Sequence, residues 1–212
     1  VKFELCIFDL DGTIVDTRRD LTTAVNSVRA SYGLPEMSME EVTGYVGDGI
    51  VKLVERSLPD NGIDIDKAVL LFKEAYKAHL LDTTRSYPGI KEVLLQLDSC
   101  YSALLTNKPY QLTKAITDSL DFTGFFSLIV GGDTLERKKP HPDGVEYILK
   151  KSGADRRNTV MIGDGKNDIL VAHASGISSV YVKYGFTTIR DFDGHGPDFT
   201  VDSASELLAI LK

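Results

Sequence analysis

Apolar residues in this chain gather into blocks of two kinds. The first is a continuous run: "FELCIFD" at 3–9, "YSALLT" at 101–106, "SLIVG" at 127–131, "TVMIG" at 159–163 and "SSVYVK" at 178–183. Short runs of this kind are the signature of buried strands. The second kind recurs every three or four residues, as in Ile90, Val93, Leu94 and Leu97, then Leu112, Ile116 and Leu120, then Val145, Ile148 and Leu149, then Ile169 and Ala172. That spacing lines one face of a helix. Strands alternating with helices predict a parallel sheet, because a parallel neighbour is reached only by a crossover. A last strand at 199–201 and a helix carrying Ala204, Leu207, Leu208 and Leu211 complete the pattern.

The alternation is interrupted once. From about residue 16 to residue 81 the periodicity is helical throughout, with Leu21, Ala24, Val25 and Val28, then Ile50, Leu53 and Val54, then Ala68, Leu71, Phe72, Ala75 and His79. Roughly sixty-five residues far exceed an ordinary crossover. The block therefore reads as a small all-helical cap inserted after the first strand, with the turn "YPG" at 87–89 returning the chain to the sheet. The expected fold class is α/β, a parallel-sheet core built from 1–14 and 83–212 with an inserted all-α helical cap at 15–82. Asp16 and Thr17 read as N-caps of the first inserted helix.

Composition alters this little. Hydrophobic residues make up 42% of the 212 and charged residues 26%, as in ordinary soluble globular proteins. Against 31 Asp and Glu stand 24 Lys and Arg, a formal charge of −7. This argues against general nucleic-acid binding and requires a local positive site for any bound anion. Cys6 and Cys100 lack metal-type spacing and read as buried small hydrophobes. No segment reaches the ~18 apolar residues of a membrane span, and no basic stretch followed by an apolar core begins the chain. A cytoplasmic location without membrane partners is the expectation, with monomer and homodimer both open.

The placement of the carboxylates is more informative. In an open parallel sheet, ligands bind beyond the carboxyl ends of the strands. Four polar clusters fall there: Asp9 and Asp11 after the first strand, Thr106 and Asn107 after the second, Lys138 and Lys139 beyond the third, and Asp164 and Asp168 after the fourth. Carboxylates gathered at one rim repel one another unless a cation intervenes, and an all-oxygen set suits Mg²⁺. An Asp at such a rim can accept a phosphoryl group as a covalent aspartyl-phosphate, which is the role read for Asp9. Metal and lysine would neutralise the equatorial oxygens while Thr106, Asn107 and backbone amides fix in-line geometry. Asp11, two residues on, is placed to protonate the leaving oxygen and then to accept a proton from water.

The ordered motifs "DLDGT" (9–13), "LLTNKP" (104–109), "KKPHPDG" (138–144) and "GDGKND" (163–168) resemble those of the haloacid dehalogenase-like hydrolases. The resemblance spans nearly the whole chain and implies a Rossmann-like core. It makes Asp9 the nucleophile, Asp11 the acid–base residue, and Thr106 the phosphate-binding hydroxyl with Asn107 beside it. Lys139, followed directly by Pro140, matches the family lysine. It also implies that Mg²⁺ is held by Asp9, the backbone carbonyl of Asp11 and Asp164, with Asp168 orienting a metal-bound water or Lys139. Gly165 stands where the family often has Ser, Thr or Asn.

The Asp at position 11 points to phosphate esters, and several stretches, including "EEVTGYVGDGI" (40–50), are similar to phosphoglycolate phosphatases. The resemblance implies hydrolysis of a small phosphorylated metabolite such as 2-phosphoglycolate. A phosphosugar mutase, or a phosphatase or pyrophosphatase for another small metabolite, is the alternative. Candidate substrate contacts in the cap are the glycines Gly47 and Gly49 and the cations Arg18, Lys52 and Arg56, with a solvated helix face as the plain reading of Lys52 and Arg56.

Overall fold

In the computed structural model, which describes residues 3–60, 62–97, 100–186 and 192–212, each apolar run becomes a strand. β1 is Leu5–Phe8, and the two-residue strands β2 (Val15–Asp16) and β3 (Arg85–Ser86) pair with each other. β4 (Tyr101–Leu105), β5 (Leu128–Val130), β6 (Thr159–Gly163), β7 (Ser178–Val182) and β8 (Phe199–Val201) join β1 in one sheet of order β5-β4-β1-β6-β7-β8. Every pairing in this sheet is parallel. β1 is central, with Leu5 opposite Tyr101 and Thr159, and Phe8 opposite Leu104 and Ile162. This register brings the chain emerging from β1 alongside the ends of β4 and β6.

Burial on both faces explains why the strands read as unbroken apolar runs rather than alternating ones. Leu5 and Ile7 face a cluster with Ala103, Leu105, Met161, Val145, Ile148 and Val171. Phe8, of opposite parity, meets Phe126 edge-on on the other face, with ring centroids 6.2 Å apart. The thiols of Cys6 and Cys100 are both buried, as expected, and the sheet brings their sulfurs to 3.1 Å.

The chain divides into two compact units, 1–16 with 86–212 and 17–85. The helical unit holds α1 (Arg18–Ser31), α2 (Met39–Thr43), α3 (Ile50–Ser57) and α4 (Ile65–Ala78). Its buried side chains include Leu21, Ala24, Val25 and Val28 of α1, Leu53 and Val54 of α3, and Ala68, Val69 and Phe72 of α4. The sheet unit carries α5 (Ile90–Leu95), α6 (Tyr110–Ser119), α7 (Asp143–Ser152), α8 (Lys166–Ser175) and α9 (Leu207–Leu211). No helix among the described residues is long and apolar enough to cross a membrane.

Local chemistry sets the helix ends. Ser38 Oγ accepts from the Glu41 backbone N–H while Glu41 accepts from the Ser38 backbone N–H, a reciprocal cap on α2. Asp64 caps α4 through the Lys67 N–H. The start of α1 differs from the expectation: Asp16 lies in β2, and Thr17 occupies the N-cap position without a side-chain capping hydrogen bond. His79 also departs from the apolar stripe assigned to it. α4 ends one residue earlier, Tyr76 takes the buried place, and His79 is exposed beside Asp82, 2.7 Å away.

Asp20, in the first turn of α1, is buried and accepts from both backbone N–H groups and both hydroxyls of Thr83 and Thr84, at 2.5–3.1 Å. It ties the beginning of the helical unit to its end. Burial by itself would raise the carboxyl's pKa, but these donors outweigh it and hold the group below its usual value. A depressed pKa contributes stability above the unfolded value of about 3.9, and that contribution disappears as pH falls through the folded value. Asp20→Ala is therefore expected to cost about 2–4 kcal/mol near neutrality by leaving buried donors unmet. Thermal melts of both proteins should show the gap closing below about pH 4; a gap that does not change with pH would refute the charge-assisted clasp.

Candidate active site

The chain leaves β1 at Asp9, whose backbone N–H donates to Ile162 O at 2.9 Å, so the site begins with the strand's own hydrogen bonding continued one residue further. Gly12 then turns the loop with φ of 84°. A Cβ there would lie 2.1 Å from Asp164 Oδ2, so this position admits only glycine for steric as well as conformational reasons. The "DGT" turn is thus what allows the fourth motif's carboxylate to approach the first.

Asp9, Asp164 and Asp168 each bring a carboxylate oxygen within 4.8 Å of the others. Lys139 stands among them, its Nζ 2.9 Å from Asp9 Oδ1 and 2.5 Å from Asp168 Oδ1. Of the two adjacent lysines, Lys139 is the buried one and Lys138 is exposed. Burial pushes the Asp9 carboxyl up to about 7 in spite of Lys139, with the charges of Asp168 and Asp11 adding to the rise. Asp164 is raised well above the usual carboxylate range by burial and by the charges of Asp9 and Asp168. The Lys139 pKa also rises: burial favours its neutral form, but Asp168 and Asp9 overcome this and raise it to about 12. The one ammonium pairs with two of the three carboxylates, Asp9, which is partly exposed, and buried Asp168, and this leaves negative charge in excess at the cluster. The donors are all oxygens, so the cluster fits a hard divalent cation such as Mg²⁺.

The supporting contacts are specific. Asp164 Oδ2 accepts from the Phe186 N–H at 2.8 Å, and Thr13 Oγ1 donates to Asp164 Oδ1 at 3.4 Å. Asp168 Oδ2 accepts from the Gly165 N–H at 2.9 Å, which turns the other oxygen to Lys139. Gly165 needs no side chain for this contact. Thr106 is buried beyond β4, and its hydroxyl accepts from the Lys108 N–H at 3.2 Å.

Asn107, expected beside Thr106 as a phosphate donor, contacts the Lys139 backbone through both ends of its amide. Its amide nitrogen donates to Lys139 O at 2.9 Å, and its carbonyl accepts from the Lys139 N–H at 3.0 Å. This two-point contact engages the backbone of the lysine. Asp11 points to Lys108, whose Nζ lies 2.8 Å from both carboxylate oxygens. Lys108 was missed from sequence because "TNKP" places it among ordinary loop residues, although a cation directly after Asn107 at a strand end was a visible signal. The "YGF" loop at 184–186 was also missed, since its contribution to Asp164 is a backbone N–H.

The candidate contacts Gly47, Gly49, Lys52, Arg56 and Arg18 all belong to the helical unit at 17–85. Gly47 and Gly49 have φ of 122° and 88° and shape the loop before α3. Lys52 pairs with Glu55 at 2.7 Å, and Arg56 pairs with Asp48 at 2.6 Å. Arg18 opens α1 and is partly buried.

A family model for haloacid dehalogenase-like hydrolases matches residues 6–182, most of the chain. The chain belongs to the haloacid dehalogenase-like hydrolases. Among curated relatives, "Phosphoglycolate phosphatase 1" of Pseudomonas aeruginosa is 36% identical over 96% of this chain and 78% of that protein. A phosphoglycolate phosphatase of Chromobacterium violaceum is 37% identical over 97% of this chain and 95% of its own length. A solved haloacid dehalogenase-like hydrolase from Streptococcus pneumoniae superposes with a TM-score of 0.89 at 25% identity, covering 100% of this chain and 99% of that one. The α/β core with a Rossmann-like parallel sheet is therefore that of a haloacid dehalogenase-like hydrolase.

Removing the central cation should be costly in this member of the family. Lys139→Met leaves Asp168 and Asp9 without their cation and is expected to lower stability in urea by about 3–5 kcal/mol without added divalent cation. Adding Asp168→Asn should recover part of that loss, because the two side chains are one interacting pair. Strictly additive losses would show that the pair is not coupled.

Proposed function

We propose that this chain is a Mg²⁺-dependent phosphatase that hydrolyses a small phosphate monoester, 2-phosphoglycolate, through an aspartyl-phosphate on Asp9. The carrying observation is the buried ammonium of Lys139 held between Asp9 and Asp168, with Asp164 as the third carboxylate. The substrate follows from the curated relatives, which are named for phosphoglycolate.

In this reading an Asp9 oxygen attacks phosphorus and the ester oxygen leaves with the bonding electron pair, taking a proton from Asp11. Water then attacks the aspartyl-phosphate and gives its proton to Asp11, which releases inorganic phosphate and restores Asp9. Lys139 and the Thr106 hydroxyl bind phosphoryl oxygens, and Asn107 keeps Lys139 in place through its backbone. Asp9, Asp164 and the backbone carbonyl of Asp11 would hold the Mg²⁺, and Asp168 orients Lys139. When bound, the ion neutralises charge on the phosphoryl oxygens and favours the ionised carboxylates.

The helical unit at 17–85 acts as the cap in this reading, and it supplies substrate contacts. Arg18, Lys52 or Arg56 meets the substrate carboxylate, with Lys52 and Arg56 exchanging Glu55 and Asp48 for it. Gly47 and Gly49 let the intervening backbone follow a small ligand.

Phosphate release is to be measured with and without Mg²⁺ on 2-phosphoglycolate, small sugar phosphates, nucleotides and pyrophosphate. A metal-dependent preference for 2-phosphoglycolate is expected; preference for another ester would replace the substrate, and isomerised product without free phosphate would indicate a mutase. Asp9→Asn should abolish turnover with an unchanged circular dichroism spectrum, and retained activity in re-purified protein would remove Asp9 as nucleophile. Independently of activity, Mg²⁺ should raise the melting temperature of the wild type through binding to the folded state. Asp164→Asn should lose most of that rise, and an equal rise in the variant would place the ion elsewhere.

A further inference from the structure

Among the described residues two lysines are buried, Lys139 and Lys108. Lys139 belongs to the carboxylate cluster. Lys108 has only 5% of its side chain exposed, and its ammonium meets both oxygens of Asp11 at 2.8 Å, across 97 positions of sequence. A buried ammonium needs a partner of this kind, because leaving water without one is expensive.

The backbone that carries Lys108 is itself fixed. Its N–H donates to Thr106 Oγ1 at 3.2 Å, and its carbonyl accepts from the Gly132 N–H at 2.7 Å and from the Thr113 hydroxyl at 3.4 Å. Gly132 fits so closely against this loop that a Cβ there would stand 2.2 Å from Asn107 O. The lysine therefore extends from a rigid base. Its grip on two oxygens constrains the terminal torsion of Asp11, which in an aspartate is otherwise broad.

We propose that Lys108 is the positioning residue for Asp11, setting the direction in which that carboxyl faces the ester oxygen. The inference rests on the phosphatase reading given above. In the first half-reaction the Asp9–phosphorus bond forms, the phosphorus–ester oxygen bond breaks, and the departing oxygen takes a proton from Asp11. A misdirected carboxyl slows that transfer even when every other group is in place. The need for the proton depends on the leaving group. An alkoxide requires it, whereas p-nitrophenolate is stable enough to leave without it.

This dependence separates positioning from a merely structural role. Steady-state kinetics of the full chain with Mg²⁺ should be compared on 2-phosphoglycolate and p-nitrophenyl phosphate, using wild type, Lys108→Met, Lys108→Arg, Asp11→Asn and the Lys108→Met/Asp11→Asn double variant. For Lys108→Met, kcat/KM on the alkyl ester is expected to fall about 10- to 100-fold, part of what general acid catalysis supplies. On the aryl ester it should fall by less than about 3-fold, because that leaving group needs little protonation. Lys108→Arg should regain part of the alkyl-ester rate, and the double variant should be no slower than Asp11→Asn.

Equal losses on both esters, or losses that add to those of Asp11→Asn, would overturn the positioning role. Should Lys108→Met fail to fold, Lys108→Gln carries the same two-ester comparison. Absence of turnover by the wild type on both esters would instead overturn the phosphatase reading, and this inference with it.

Discussion

A single ammonium, that of Lys139, sits where three carboxylates converge, two of them buried, and much of the sheet unit serves that arrangement. Like charges brought this close in a medium poor in water repel by several kcal/mol unless positive charge is supplied among them. The lysine supplies part of it and leaves an excess that a hard dication can balance. The remaining polar contacts follow from this constraint. Asn107 fixes the lysine backbone, the Gly165 N–H orients Asp168, and the Phe186 N–H engages Asp164.

The parallel sheet makes this concentration possible. Because β4, β1 and β6 run side by side in one direction, their carboxyl ends release Thr106, Asp9 and Asp164 at one rim. Gly12 then removes the steric obstacle between the first loop and the last. Two ammonium groups stand at the rim, one facing Asp9 and Asp168 and the other facing Asp11. The two aspartates of the first motif thus lie in different electrostatic surroundings although only Leu10 separates them.

The sheet was legible in the sequence because both faces of its central strands are buried, so that β1, β4, β6 and β7 each leave a largely apolar run with a clear beginning and end. The central site was legible because its chemistry is carried by charged side chains at strand ends. What stayed hidden depends on direction rather than on residue type. Sequence names Asn107 but not that its amide turns to the Lys139 backbone, and it names Lys108 without the path that leads its stem to Asp11. The contribution of Phe186 comes from a backbone N–H, which any residue but proline offers, so no side-chain pattern marks it. His79 was misplaced because periodicity continues on paper past the point where α4 stops.

Asp20 holds Thr83 and Thr84 beside the start of α1, so the helical unit begins and ends at nearly the same place. A segment whose two ends are held together can be lengthened, shortened or exchanged with little change in the entropy of closing it. The sheet, for its part, receives only two adjoining chain crossings, at β2 and β3. The clasp therefore makes the insertion a modular graft, in which the residues between Asp20 and Thr83 can change without moving the point where the segment leaves and rejoins the sheet unit.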